Sequence, residues 1–299
     1  MADRRGSAET VVTAADKPEV WQPSPIEQQR AAYRLRQRRR SFVVATVSTI
    51  VVLAVVVIVL VTSPGWDRFQ STFFSPHEAG VAFPMVLRGL WTNIEVMLVC
   101  GVAIAVWSLV LAVLRTLRGP VFFPLRAFAV VYVDLFRGLP LLLVVFLLGL
   151  GVPALQLSGL PTDPLFWGGL ALTLSYSANV AEVLRAGIES VHPSQRAAAR
   201  SLGLSYAATL RFVVLPQAVR RVMPALMNDL ISLEKDSALL AAIGVVDALR
   251  QAQIRQSLSF NFTAYVVAGV LFICLTIPMA RFTDWYARRR GFQGVGGQL

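Results

Sequence analysis

The chain has 299 residues, of which 56% are hydrophobic and only 15% charged, with a mean hydropathy of +0.62. Soluble domains carry about 25% charge, so composition excludes an ordinary water-soluble enzyme and points to a polytopic membrane protein. A spanning helix needs about 20 residues, which leaves room for about six spans and their loops and none for a large soluble domain.

Residues 1–41 are polar, contain Pro18, Pro23 and Pro25, and end in Arg34, Arg36, Arg38, Arg39 and Arg40. This pattern predicts a disordered basic tail abutting a first span; residues 26–40 also fit a basic amphipathic helix on anionic lipid. Residues 42–61 carry no charge and are rich in Val and Ile, enough to cross the hydrocarbon once, and Pro64 and Gly65 end the run. The apolar core is too long for a cleaved secretory signal, and no convincing small-residue cleavage site follows it. Further apolar stretches at about 86–114, 127–151, 165–186, 223–246 and 262–283 bring the expected spans to six. The expected fold is all-α, with a permease-like domain over 85–287 and a short C-terminal tail from 288 to 299.

Charge orients these spans. Of the 28 lysines and arginines, 21 fall in the N-terminal tail, residues 114–126, 187–222 and 281–299, while Arg68, Arg250 and Arg255 fall in the alternate loops. By the positive-inside rule both termini are cytoplasmic. This asymmetry accounts for most of the net charge of +11 without nucleic acid as a partner.

Catalysis has little to work with. The lysines are Lys17, followed by Pro18, and Lys235, followed by Asp236, so the Gly-Lys-Ser/Thr of a phosphate-binding loop is excluded. There is no nucleophile elbow and no His-Glu-x-x-His. Cys100 and Cys274 lie inside apolar runs, and with His77 and His192 they support neither a disulfide framework nor a structural zinc site. No cofactor is expected, and any energy supply comes from a partner or a gradient.

Ionisable residues at membrane depth cost about 3 kcal/mol or more each and face protein or water-filled space. Arg88, Arg137, Arg185 and Lys235, with Glu95, Asp134, Glu182, Asp229, Glu234 and Asp236, therefore argue for a polar pathway. In the fourth span Ser175, Asn179, Glu182 and Glu189 step by three or four residues onto one helical face, bordered by Arg185. That face suits either a translocation wall or polar packing between helices; Asn179 fits both, and Glu182, near the cytoplasmic end, fits packing better. In the third span Asp134 and Arg137 precede Gly138 and Pro140, which break or kink a helix. A charge beside a broken helix is a solute-site pattern in transporters, and an Asp134–Arg137 pair stabilising the kink is the alternative.

Residues 189–216 are alanine-rich and punctuated by Pro193, Gly203 and Pro216. Alanine favours helix, Pro193 suits a first turn and Gly203 a terminus. Two short helices joined at Gly203 are expected on the cytoplasmic face, open to a partner or packed on their own bundle.

This segment resembles the permease subunits of ATP-binding-cassette importers for polar amino acids. Their pattern is Glu-Ala-Ala, three residues, Gly, nine residues, an aliphatic residue, one more, then Leu-Pro. Ala197, Ala198, Ala199, Gly203 with Leu204, Val213, Leu215 and Pro216 keep that spacing, with Ala197 in the place of the glutamate. Phe136, Arg137, Gly138, Pro140, Leu141 and Leu142 resemble a second motif of the amino-acid branch. Tyr176 to Ile188, and Leu215 to Ala218 followed by Asn228, Leu233, Lys235, Asp236 and Ser237, complete the likeness over roughly residues 85–290. The resemblance implies a five-helix type I permease core, two permease subunits forming the pore, an ATPase dimer on the 189–216 loops, and an extracytoplasmic solute-binding protein. It implies a polar amino acid as solute, glutamate or glutamine ahead of arginine. Arg137, Arg185 and Asn179 can meet a carboxylate, Glu234 and Asp236 an ammonium, and Glu182 and Lys235 lie on the same candidate path. If Glu234 faces the cavity it favours a cationic side chain. A gradient-driven carrier or channel is the alternative, expected to show inverted repeats; it leaves the 189–216 spacing unexplained.

Overall fold

The computed structural model describes residues 24–117 and 119–289. The chain divides into two units, residues 1–66 and 67–299, taken here in turn.

The first unit contains α1 (Pro25–Val61), a single helix of 37 residues. Its start is locally determined. The Ser24 hydroxyl accepts from the Glu27 backbone N–H at 3.3 Å, and Pro25 opens the first turn, where its missing N–H is no loss. Gln, Ala, Leu and Arg then favour helix, and no Gly or Pro interrupts before Pro64. Residues 25–41, expected as part of a disordered tail, are therefore helical, and Pro25 is the helix opener rather than a mark of disorder. The expectation for residues 1–23 lies outside the described residues. Within the apolar part, Thr46 and Thr49 return their hydroxyls to the Phe42 and Ala45 carbonyls at 2.8 Å, which satisfies them where no water is at hand.

In the second unit α2 (Trp66–Phe73) leads to α3 (Pro76–Thr116). After a short 3-10 turn come α4 (Phe123–Gly138), α5 (Leu141–Phe146), a π turn and the one-turn α6 (Val152–Ala154). The long α7 (Pro164–Ser190) runs through the middle and packs on α3, α4 and α5. Two short helices, α8 (Pro193–Ser201) and α9 (Tyr206–Thr209), precede α10 (Leu215–Asp236), which packs on α7. Finally α11 (Ala248–Ser259) and α12 (Thr263–Arg289) pack on α3 and on each other. No strand occurs among the described residues. The residues expected as a C-terminal tail are helical through Arg289, and 290–299 lie outside the described residues.

The main core joins Val145, Leu172, Ile188, Leu233 and Leu240 across α5, α7, α10 and the turn after it. A smaller one joins Val86, Ala248, Ala252, Ala264 and Ala268 across α3, α11 and α12. Its alanines let backbones come close. The approach is tightest at Gly89, where an added Cβ would lie 2.5 Å from the Ala248 nitrogen.

Two expected spans are discontinuous. The third breaks where Gly138 and Pro140 predict. Leu139 is extended (φ −93°, ψ 137°), as the residue before a proline prefers, and the two halves are bent by 103°. The fifth, expected as one stretch over 223–246, leaves α-geometry at Asp236 and continues as a 3-10 helix (Ser237–Ile243) that stops at Gly244, φ 89°. The hydroxyl of Ser237 donates to the Glu234 carbonyl at 2.5 Å, taking that acceptor out of the ladder. Among the described residues, three helices are long and apolar enough to cross a membrane, or up to four if the bent pair is one span. The expected six also require α7 and α10. α10 carries charges along its length, and α7 is diluted by Gly, Thr, Ser, Tyr and Asn between Gly168 and Asn179, which is why hydropathy alone does not select them.

Candidate functional site

Each end of the second unit has its own polar organisation, and the seven candidate path residues separate into two groups. Glu182 is engaged: it accepts from Arg115 Nη1 of α3 at 2.5 Å and from Arg185 Nη2 at 2.5 Å, while Arg185 also pairs with Glu189. This chain of charges binds the last turns of α7 to the end of α3, so Glu182 and Arg185 serve helix packing. Arg115, which the sequence placed only as a loop cation, is the missing partner, 67 residues away. Asp236 is also engaged, accepting from the Tyr176 hydroxyl at 2.6 Å and tying α10 to α7.

Glu234 is fully buried. Its Oε2 accepts from Thr276 Oγ1 on α12 at 2.9 Å, and its Oε1 is buried without a hydrogen-bond partner. It pairs with neither Lys235 nor Arg137. The side chain therefore meets α12 through Thr276.

Arg137, Asn179 and Lys235 are exposed and form no ion pair among the described residues. The Asp134–Arg137 pair is absent there as well, which leaves the guanidinium free at the last turn of α4, beside the 103° break. Between α3, α7 and α10 lies a cavity of about 210 Å³ whose lining includes Tyr176, Leu226, Leu233 and Asp229; one oxygen of Asp229 is buried there without a partner.

The 189–216 segment is built as its spacing predicts, with one addition. Pro193 stands in the first turn of α8, and the His192 imidazole accepts from the Ser194 N–H at 3.2 Å as N-cap. Gly203 follows α8 with φ 83°, a conformation that excludes most side chains, and its N–H closes on the Arg200 carbonyl at 3.0 Å. Ser205 then caps α9 by accepting from Ala208 N–H at 3.2 Å. The second helix does not stop, however: a π turn (Leu210–Val214) carries it directly into α10 at Leu215 and Pro216. Ala197, Ala198 and Gly203 are exposed, Leu204 and Val213 half-buried, and Ala199 and Val214 buried in the bundle. One side of the segment thus holds the bundle and the other is open.

Two arginines unremarked in the sequence lock this segment to α7. Arg196 of α8 donates to the Ile188 carbonyl at 2.5 Å. Arg221 of α10 donates to the Ser190 carbonyl and, at 3.2 Å, to its hydroxyl. The last carbonyls of a helix lack intrahelical donors, and cations there also meet the negative end of its dipole. At Gly187 an added Cβ would lie 2.6 Å from Val222 and 3.2 Å from the Ala218 carbonyl, so α7 and α10 are in close contact beside this clamp. Arg196 thus ties α8, and Arg221 ties α10, to the end of α7.

A family model described as "Binding-protein-dependent transport system inner membrane component" matches residues 118–291. The chain is similar to the probable glutamine ABC transporter permease protein GlnM of Bacillus subtilis (strain 168), 35% identical over 192 residues, covering 64% of this chain and 83% of that protein. It is also similar to the arginine transport system permease protein ArtQ of the same organism, 31% identical over 195 residues, 65% of this chain and 87% of that one. Among solved structures, that of an amino acid ABC transporter with histidines matches with a TM-score of 0.62 and 31% identity, covering 69% of this chain and 94% of the other.

Proposed function

We propose a role that proceeds from kinship: the chain belongs to the family of binding-protein-dependent transport system inner membrane components and is an amino-acid ABC transporter permease subunit. It forms the translocation path of an importer in the cell membrane, as a multi-pass protein with six crossings and both termini cytoplasmic. ATP is hydrolysed by a separate cytoplasmic ATPase dimer. A second permease subunit, the same or a sister chain, completes the pore, and an extracytoplasmic binding protein delivers a small polar amino acid.

The observation that carries this reading is the open side of α8, Gly203 and α9, presented at the spacing of the importer coupling pattern and clamped to α7 by Arg196 and Arg221. A partner that changes its contacts with this segment between two states biases the two arrangements of the bundle, which is what coupling requires. For the solute, Arg137, Asn179 and Lys235 are the exposed, unengaged groups among the seven candidates: two cations and an amide. Glu182, Glu234 and Asp236 are occupied by Arg115 and Arg185, Thr276 and Tyr176. That set favours glutamate or glutamine over a cationic amino acid.

The test is ATP hydrolysis by the complex reconstituted with its binding protein and screened with each amino acid. Stimulation by glutamate or glutamine is the expected outcome. Stimulation by arginine overturns the solute assignment, and uptake that persists without ATP overturns the importer mechanism in favour of a gradient-driven carrier.

A further inference from the structure

We infer that the coupling segment recognises its ATPase by charge as well as by shape, and that the receiving groove is apolar at its floor and acidic at its rim. The inference rests on the importer reading above and names the chemistry of the partner surface. Between Glu189 and Asp229 the chain has no acidic residue and five arginines, Arg196, Arg200, Arg211, Arg220 and Arg221. Two are used internally, Arg196 on the Ile188 carbonyl and Arg221 on Ser190. The other three are exposed and make no ion pair among the described residues. Arg211 lies over the ring of Phe212, 5.4 Å from its centroid, which leaves its N–H groups at the ring's edge free to donate.

Leu202, at the turn into Gly203, is 83% exposed and stands two residues after Arg200. A large apolar side chain held out at a tight turn, with exposed alanines at 197 and 198 on the helix before it, is a knob for an apolar pocket. Cations around such a knob steer the encounter and select a partner of opposite sign, and a like-charged partner is repelled. The position where the resembling importers carry glutamate is Ala197 here, so from Ser190 to Asn228 every formal charge is positive.

The experiment uses the tagged full chain, exchanged into its native host, and measures the ATPase that co-purifies between about 0.05 and 0.5 M NaCl, a range over which the Debye length falls severalfold. Retention of ATPase by the wild-type chain is expected to fall as salt rises. R200E/R211E is expected to hold on the order of tenfold less at low salt, with R200Q/R211Q between the two. These side chains are exposed, so folding is not at stake. A197E discriminates most sharply: against an acidic rim it weakens binding by roughly threefold, whereas against a basic one it tightens it. Tightening by A197E, or retention indifferent to both salt and R200E/R211E, overturns the charge inference and leaves the importer reading standing. A wild-type chain that retains no ATPase at any salt removes both.

Discussion

Asn93 is buried at the junction of α3, α10 and α11, and its replacement by alanine tests how the break in the fifth span is held. Its Nδ2 donates to Ser237 Oγ at 2.9 Å and to Asp247 Oδ2 at 3.2 Å, and its Oδ1 accepts from the Ala248 N–H at 3.1 Å. Asp247 in turn caps α11 by accepting from the Arg250 N–H at 2.8 Å. Asn93→Ala strips the Ala248 N–H and one Asp247 oxygen of their partner, and Asn93, Asp247, Ala248 and Ser237 are all buried. An orphaned buried polar group costs about 1–3 kcal/mol, so the variant should lose about 3–5 kcal/mol, a large part of the roughly 5–15 kcal/mol that folded domains possess. For a unit of this size that is a fall in Tm on the order of 6–20 °C, read by heating the detergent-purified protein and following its monodisperse fraction. Asn93→Asp should fall further, because it sets a second carboxylate against Asp247. A wild-type Tm for Asn93→Ala refutes the reasoning, since it means that water already serves these groups.

Glu234→Gln should leave both solute selectivity and transport rate unchanged and hold or slightly raise Tm, because a neutral amide keeps the Thr276 contact and relieves a carboxylate buried with one oxygen unpartnered; altered selectivity in uptake assays returns Glu234 to the solute path. Arg196→Met should lower solute moved per ATP severalfold while hydrolysis continues, because α8 is no longer tied to the Ile188 carbonyl; a proportional loss of both activities indicates damage to the fold instead. Gly187→Val should cost about 1–3 kcal/mol by overpacking against Val222 and the Ala218 carbonyl, measured as a lower Tm, and an unchanged Tm shows that α7 and α10 separate at no cost.

What was legible in the sequence was local. Gly138 and Pro140 act on the backbone within three residues, so the third span's break was readable; so was the turn at Gly203, which needs only a residue able to hold φ 83° between two alanine-rich stretches. Pro25 misled because proline marks both disorder and a helix's first turn, and Ser24 with Glu27 decides between them. The break at Ser237 was hidden, since no glycine or proline stands at it and the residue that pins it, Asn93, is 144 positions away. The place of Glu182 near a helix end was readable, but its partner Arg115, 67 positions away, could not be named without the fold. The arginines of the clamp gave a weaker signal, a cation shortly after the end of a helix, which is common at C-termini.

The engaged and unengaged charges divide according to what each end of the bundle must do. Where α3, α7, α8 and α10 meet, cations sit on several carbonyls and on a carboxylate: Glu182 has Arg115 and Arg185, Ile188 has Arg196, Ser190 has Arg221. Such links are directional and short, so they transmit displacement where an apolar contact would let helices slide. Where the solute is proposed to pass, Arg137, Asn179 and Lys235 have no such partners, because a group already paired inside the protein has nothing to exchange with a passing carboxylate or amide. Glu234 belongs to neither class. It is buried against α12 with one oxygen unmet, an arrangement that weakens the packing of α10 on α12.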